Sequence, residues 1–112
     1  MSIVVVADIF GIAGRRQQLI SALAGAERDA AGQDGCLRYT VGVTLTDPEH
    51  FVMVSEWRDQ AAVDAHYSSP SFTTFQMSLD GLLARPTETT MYDVSGTLRP
   101  IPSGPMDPRD AD

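Results

Sequence analysis

The sequence predicts an α+β fold of the ferredoxin-like type, in which a split β-α-β repeat builds one antiparallel sheet with both helices on one face. The first observation behind this prediction is the order of the periodic segments, which reads β-α-β-β-α-β. The second is size, because 112 residues, 43% of them hydrophobic and 21% charged, are typical of one globular domain with one core. We assign residues 1–98 to that domain.

The first part of the chain supplies a strand and a helix. Residues 3–10 are apolar on both strand faces until Asp8, which indicates a strand that is covered from two sides. From Gly11 to Gly32, apolar residues recur at spacings of three and four, which predicts an amphipathic helix ended by glycine.

A β-hairpin is predicted next. Residues 36–45 alternate between apolar and polar side chains, as a strand with one buried face does. Its apolar face consists of Leu37, Tyr39, Val41, Val43 and Leu45. The segment Asp47-Pro48-Glu49 supplies a turn, and an apolar run from Phe51 forms a second strand that ends at Trp57.

The second helix is predicted to be split. Residues 58–67 have helical spacing, Ser69-Pro70 interrupts it, and a second apolar stripe runs over residues 72–83. Residues 89–98 are rich in β-branched side chains and predict the last strand. Residues 99–112 contain four prolines and no periodicity, so we expect a flexible, proline-rich acidic tail.

This arrangement leaves one sheet face without helices. Because the first and third strands are apolar on both faces, that bare face would expose more apolar surface than monomers tolerate. We therefore expect a homodimer in which two sheets cover each other.

The composition of the chain disfavours several classes of binding partner. The net charge of −7, a pI near 4.5 and the absence of a basic cluster disfavour nucleic acid and anionic membranes, and favour a small hydrophobic or aromatic ligand. Cys36 is the only cysteine, so no internal disulfide is expected. The start MSIVVVADIF lacks a basic segment and a long apolar run, so we expect a cytoplasmic protein without a membrane span.

The stretch FVMVSEWRDQAAVDAHYSSPSF, residues 51–72, resembles the signature of the antibiotic biosynthesis monooxygenase family. In that signature, an apolar strand ends in an acidic residue and Trp. A polar turn then begins a helix with a face of small residues, and a His precedes a Ser-Pro break in the helix. The matching residues are Trp57, Ala62, His66, Pro70 and Phe72. The resemblance implies a dimeric α+β barrel with a pocket between the sheet and helices of each subunit. Family activities include cofactor-free oxygenation of anthrones and quinols, haem degradation and isomerisation.

Departures from the family pattern argue against some of these activities for this chain. Anthrone oxygenases are described with a pocket Asn, and this chain contains no Asn. The haem-degrading branch needs a late His in the split helix, but residues 73–76 hold none, so haem binding is not expected. The family acid usually lies two residues before the Trp; here Ser55 lies there, and Glu56 is expected on the opposite strand face.

Cofactor-free oxygenation needs a base and a dry cavity. His66 is the first base candidate, because an imidazole accepts a proton near neutral pH and the spacing of its helix turns it inward. The alternative is a buried histidine that binds a backbone carbonyl and orders the Ser69-Pro70 break. Asp8 is the second candidate, since a carboxylate in an apolar strand must be paired or have a raised pKa; the alternative is a solvated strand-end acid.

Aromatic residues supply the candidate substrate contacts. Trp57, Phe72 and Phe75 are expected to wall the cavity, and Tyr39 and Tyr92 to present hydroxyls to a quinol oxygen; each is otherwise ordinary core or strand packing. No His or Cys pair has metal-ligand spacing, and no glycine-rich loop opens a helix, so neither a metal nor another cofactor is expected.

Three functions follow from these residues. The first is a cofactor-independent monooxygenase of a small aromatic, quinol or polyketide-like substrate, with His66 or Asp8 as base. The second is a non-catalytic or isomerase-like dimer that binds a small molecule. The third is a purely structural dimerisation unit whose pocket is filled by its own side chains.

Overall fold

One antiparallel sheet of four strands carries three helices on one of its faces. The computed structural model describes residues 1–98. The elements are β1 Ser2–Phe10, α1 Arg16–Ala31, β2 Cys36–Val43, β3 His50–Trp57, α2 Gln60–Tyr67, α3 Pro70–Ser78 and β4 Glu88–Val94. The strands follow the order β2-β3-β1-β4, which confirms the predicted ferredoxin-like α+β fold.

The core lies between the two central strands and the helices. Burial alternates along β1 and β3, so every second side chain of each strand points toward the helices. These inner-face residues are Ile3, Val5, Ala7, Ile9, Phe51, Met53, Ser55 and Trp57. Leu19 and Leu23 of α1 and Val63 of α2 pack into the same cluster, and each such side chain contributes about 1.5–3 kcal/mol when fully buried.

The first helix begins later than its apolar spacing predicts. Gly14 adopts a φ of +88°, which places a turn before α1, and the helix starts at Arg16 instead of Gly11. Ile12, which fits the predicted stripe, is 37% exposed in this turn. Gly11 instead forms an isolated bridge to Leu83, which ties the segment after α3 to the end of β1.

The predicted split of the second helix is confirmed. Asp59 caps α2 by accepting from Ala62 N at 2.9 Å, and Ser69 caps α3 by accepting from Phe72 N at 3.2 Å. Pro70 occupies the first turn of α3, where its missing N–H has no cost. Two separately capped helices therefore replace one continuous helix.

The outer strands are shorter than predicted. A register shift between Cys36 and Arg38 takes Leu37 out of the alternation, and Leu37 is 57% exposed. β2 ends at Val43, so Leu45 lies outside the sheet and is fully exposed. β4 ends at Val94 instead of Leu98. The expectation for residues 99–112 lies outside the described residues.

The second face of the sheet, here called the outer sheet face, carries no helix. Register pairs Val4 with Tyr92 and Val6 with Val54, so the even-numbered residues of β1 share this face with their neighbours. Its apolar members are Val4, Val6, Phe10, Val52, Val54, Tyr92 and Val94. Within residues 1–98 we find no helix with the length and hydropathy needed to cross a membrane.

Candidate active site

A cavity of about 170 Å³ lies between the inner sheet face and the split helix. Its apolar lining consists of Ala7, Ile9, Met53, Phe72, Phe75 and Leu79. Its polar lining consists of Tyr39, His66, Tyr67, Gln76, Thr87 and Thr89. Thr87 and Thr89 are exposed to solvent, so the mouth of the cavity lies at the β4 edge, and His66 lines a more enclosed part.

His66 is held among aromatic rings near the C-terminus of α2. Its side chain is 7% exposed, and its ring lies 4.5 Å from the Trp57 ring, centroid to centroid, at 30°. Tyr67 and Phe72 approach at 4.9 Å and 5.3 Å. One ring nitrogen is engaged: Nδ1 lies 2.7 Å from Oε1 of Gln33. The other, Nε2, has no hydrogen-bond partner among residues 1–98.

The ionisable groups of the cavity are neutral near pH 7. Burial lowers the pKa of the His66 imidazole below its ordinary value, which favours the unprotonated ring, the form that can accept a proton. Burial raises the pKa of Tyr39 to about 12 and also raises the pKa of the Tyr67 phenol. The two phenols therefore keep their protons and act as hydrogen-bond donors rather than as bases.

Four of the seven candidate site residues line this cavity: His66, Tyr39, Phe72 and Phe75. Trp57 does not line it. The Trp57 ring is fully buried behind His66, and its Nε1 donates to Ser55 Oγ at 2.9 Å, so it supports the imidazole from the core side.

Asp8 and Tyr92 do not meet His66. The pleat alternation places both on the outer sheet face, whereas their chain neighbours Ala7 and Met91 belong to the inner face. Asp8 Oδ1 instead lies 2.7 Å from His50 Nε2. The structure therefore places the Asp8 carboxylate on the opposite side of the sheet from the cavity.

The Asp8 contact is part of a stacked cluster at one end of the outer sheet face. The Phe10 ring stacks on His50 at 4.6 Å, and the Arg85 guanidinium lies 3.6 Å over Phe10. Glu56 also lies on this face and accepts a hydrogen bond from Ser2 Oγ at 3.2 Å.

Sequence reasoning missed several polar members of the site. Tyr67 directly follows His66, and neighbouring residues of a helix point in different directions, so the sequence does not indicate that both side chains line one cavity. Gln33 comes from the loop after α1, and no local pattern links it to His66. Gln76, Thr87 and Thr89 lie at the mouth. Among residues 1–98 no group of three or more His, Cys, Asp or Glu side chains is arranged to hold a metal ion.

The fold and this cavity define a class: a ferredoxin-like α+β domain with a ligand-sized hollow between sheet and helices. The sequence profile of the antibiotic biosynthesis monooxygenase family matches residues 2–77. The chain belongs to that family.

Two further proteins are similar to this chain in sequence or in structure. An uncharacterized protein of Synechocystis sp., sll1783, is 32% identical over 65 residues, which cover 58% of this chain and 44% of that protein. The chain thus spans less than half the length of this curated relative. A conserved protein of Methanosarcina mazei superposes with a TM-score of 0.78 at 27% identity, covering 82% of this chain and 91% of that one.

A third relative has a described activity. A variant of SnoaB, described as a cofactor-independent oxygenase of Streptomyces nogalater, superposes with a TM-score of 0.76. The two chains are 21% identical, and the match covers 87% of this chain and 96% of SnoaB. At this identity the likeness concerns the fold.

Proposed function

We propose that this protein is a cofactor-independent monooxygenase that acts on a small, uncharged phenol or hydroquinone, with His66 as the general base. The observation that carries the proposal is the buried imidazole of His66, which lines an aromatic-walled cavity, has Nδ1 engaged by Gln33 and has its pKa lowered by burial. The family and the fold shared with SnoaB, described as a cofactor-independent oxygenase, support the same reaction class.

The reaction balances without a cofactor when the substrate supplies the electrons. His66 Nε2 takes a phenolic proton, and the phenolate reduces O₂ by one electron; recombination then forms a C–O bond at the ortho carbon. The imidazolium returns its proton to the peroxide. Loss of the ring C–H proton with cleavage of the O–O bond releases water and leaves a carbonyl. A hydroquinone and O₂ thus give a hydroxyquinone and water.

The cavity size restricts the substrate. A void of about 150 Å³ accommodates benzene, whereas pockets for drug-sized ligands measure roughly 300–1,000 Å³. At about 170 Å³, this cavity fits one ring with small substituents. We therefore propose single-ring hydroquinones and catechols as the first substrates to test, ahead of polycyclic polyketides.

The lining also selects against charge. It contains no Arg or Lys among the described residues, so a carboxylate on the ring would be buried without a partner. We expect hydroquinone to be a substrate and 2,5-dihydroxybenzoate, which adds only a carboxylate, to be bound at least tenfold more weakly.

The test is oxygen uptake with a panel of one-ring and two-ring quinols, corrected for autoxidation in buffer. We expect the protein to accelerate uptake, and His66→Ala to lower kcat by about 10²–10⁴-fold, the usual contribution of a general base. The matched control is Gln60→Ala, an exposed position on the same helix, which should leave kcat unchanged. Uptake no faster than in buffer across the panel would refute the oxygenase function.

The aromatic cavity also supports a second candidate, a dimer that binds a small aromatic molecule without turnover or isomerises it. Ligand binding detected by calorimetry, with no oxygen consumption and no product by mass spectrometry, would favour simple binding. A rearranged product of unchanged mass would favour isomerisation.

We further propose that a second copy of this chain covers the outer sheet face. The middle of that face is built from valines, and two of its acids have partners within the chain: Asp8 forms an ion pair with His50, and Glu56 accepts a hydrogen bond from Ser2. Sedimentation velocity at micromolar concentration should show a dimer, and Val54→Asp, which buries an unpaired charge in that interface, should give a monomer. A wild-type monomer under these conditions would contradict the proposal.

A further inference from the structure

Gln33 lies in the loop between α1 and β2, and its backbone is held on both sides. Its N–H donates to the carbonyl of Ala30 at 3.0 Å, and its own carbonyl accepts from Cys36 N at 3.2 Å. Gly35, in the same loop, packs so closely on α2 that a Cβ would lie 2.5 Å from Ala62 Cβ. The loop is therefore fixed against the helix that carries His66.

The directions of the hydrogen bonds around Gln33 follow from the Ser69 hydroxyl, which has a single proton to donate. Ser69 Oγ lies 2.6 Å from the carbonyl oxygen of His66, which can only accept, so the Ser69 proton points there. Toward Gln33, at 3.3 Å, Ser69 Oγ can then only accept. The amide NH₂ of Gln33 must face Ser69, and it also donates to Ser71 Oγ at 3.2 Å.

This orientation decides which ring nitrogen of His66 carries the proton. With its NH₂ toward the serines, Gln33 presents the carbonyl Oε1 to His66 Nδ1 at 2.7 Å. A carbonyl accepts but cannot donate, so Nδ1 must be the protonated nitrogen. A neutral imidazole has one N–H, which leaves the lone pair on Nε2.

We propose that Gln33 is a positioning residue: oriented by Ser69 and Ser71, it holds His66 in the Nδ1–H tautomer and thereby keeps Nε2 available as a base. The catalytic consequence rests on the function proposed above, whereas the tautomer does not. A carboxylate at this place would hold the same tautomer but would stabilise the imidazolium as well. A neutral amide orients the ring without making it cationic.

Long-range ¹H–¹⁵N correlation spectra report the tautomer directly, and the chain has only two histidines to assign. We expect His66 Nδ1 to resonate as a protonated nitrogen and Nε2 as an unprotonated one at neutral pH. Gln33→Leu removes the acceptor and should shift the population toward Nε2–H. The matched control Gln18→Leu changes an exposed glutamine of α1 and should leave the spectrum unchanged.

Gln33→Glu is the conservative variant. It should keep Nδ1–H, because a carboxylate also accepts, while its negative charge raises the pKa of His66. In oxygen uptake, Gln33→Leu should lower kcat by about fivefold to tenfold, because one hydrogen bond shifts the ratio of the two His66 tautomers by about that factor. Gln33→Glu should retain activity with the acidic limb of its pH profile shifted to higher pH.

Two results would overturn the proposal: wild-type His66 with a protonated Nε2 at neutral pH, or an unchanged tautomer in folded Gln33→Leu. If Gln33→Leu does not fold, Gln33→Glu still decides, because loss of Nδ1–H in that variant also contradicts the role of the acceptor. Failure of the oxygenase function would appear separately, as absent oxygen uptake by a wild-type protein whose tautomer is as expected.

Discussion

The hydrogen bond between Trp57 and Ser55 supports the imidazole from behind, and its energy can be measured. Trp57 is fully buried, Ser55 is 1% exposed, and Nε1 donates to Ser55 Oγ at 2.9 Å with no other acceptor among the described residues. Ser55→Ala leaves that N–H buried and unpaired, which costs about 1–3 kcal/mol. Trp57→Phe removes the donor together with part of the ring, at a cost below the ~3–5 kcal/mol typical of Trp→Ala.

A double-mutant cycle separates the hydrogen bond from the packing. In the Trp57→Phe background, Ser55→Ala removes a hydroxyl that has already lost its partner, so we expect a cost near zero. The coupling energy, which is the difference between the two costs of Ser55→Ala, should therefore be about 1–3 kcal/mol. Urea unfolding of the four proteins measures it, at one fixed protein concentration because association would add to apparent stability.

A control variant and a threshold for the coupling energy complete this test. Ser21→Ala, at an exposed position of α1, should change stability by no more than about 0.5 kcal/mol. A coupling energy below about 0.3 kcal/mol would mean that the sites are additive and that the Trp57 N–H gains nothing from Ser55.

Three further predictions concern pH, packing and specificity. Because burial lowers the folded-state pKa of His66, the unfolded chain takes up a proton at a higher pH than the folded chain does. The contribution of His66 to stability is therefore complete above about pH 6.5 and is lost as the pH falls through the folded-state pKa. In thermal unfolding, His66→Phe should lose less stability than the wild type over that pH range. Gly35→Ala places a Cβ 2.5 Å from Ala62 Cβ at a φ of +82° and should destabilise by about 2 kcal/mol or more, whereas Gly25→Ala inside α1 should stabilise by up to ~1 kcal/mol; equal urea midpoints would contradict both. Phe75→Ala should widen the cavity and raise kcat/KM for two-ring relative to one-ring quinols by about tenfold, and an unchanged ratio would mean that Phe75 does not limit substrate size.

The fold was predictable because its signals are local. Alternation along β1 and β3 and helical spacing around His66 each report the surroundings of consecutive residues. The errors occur where one residue changes the geometry of its neighbours. Gly14 delays the start of α1, and the register shift after Cys36 removes Leu37 from its face. Such irregularities have little effect on the periodic pattern from which the prediction was made.

The site was only partly predictable, because its composition depends on which sheet face the helices cover. Tyr39 and His66 could be recognised as inward-facing from their own segments. Asp8 and Tyr92 could not be assigned, since β1 is apolar on both faces and the pattern does not say which face the cavity uses. The contact of Gln33 with His66 joins residues 33 positions apart and depends on the packing of a loop against a helix.

The electrostatics of the cavity connect these placements to the proposed chemistry. The pleat sends Asp8 to the outer sheet face, and the described lining contains no carboxylate and no arginine. In the proposed reaction, charge therefore arises in the cavity only when His66 takes a proton and the substrate becomes an anion. In a low-dielectric site such an ion pair is stable only while the two groups stay together, so the anion is consumed in place rather than released. Tyr39 and Tyr67, whose pKa values are raised by burial, can donate hydrogen bonds to that anion without competing for its charge.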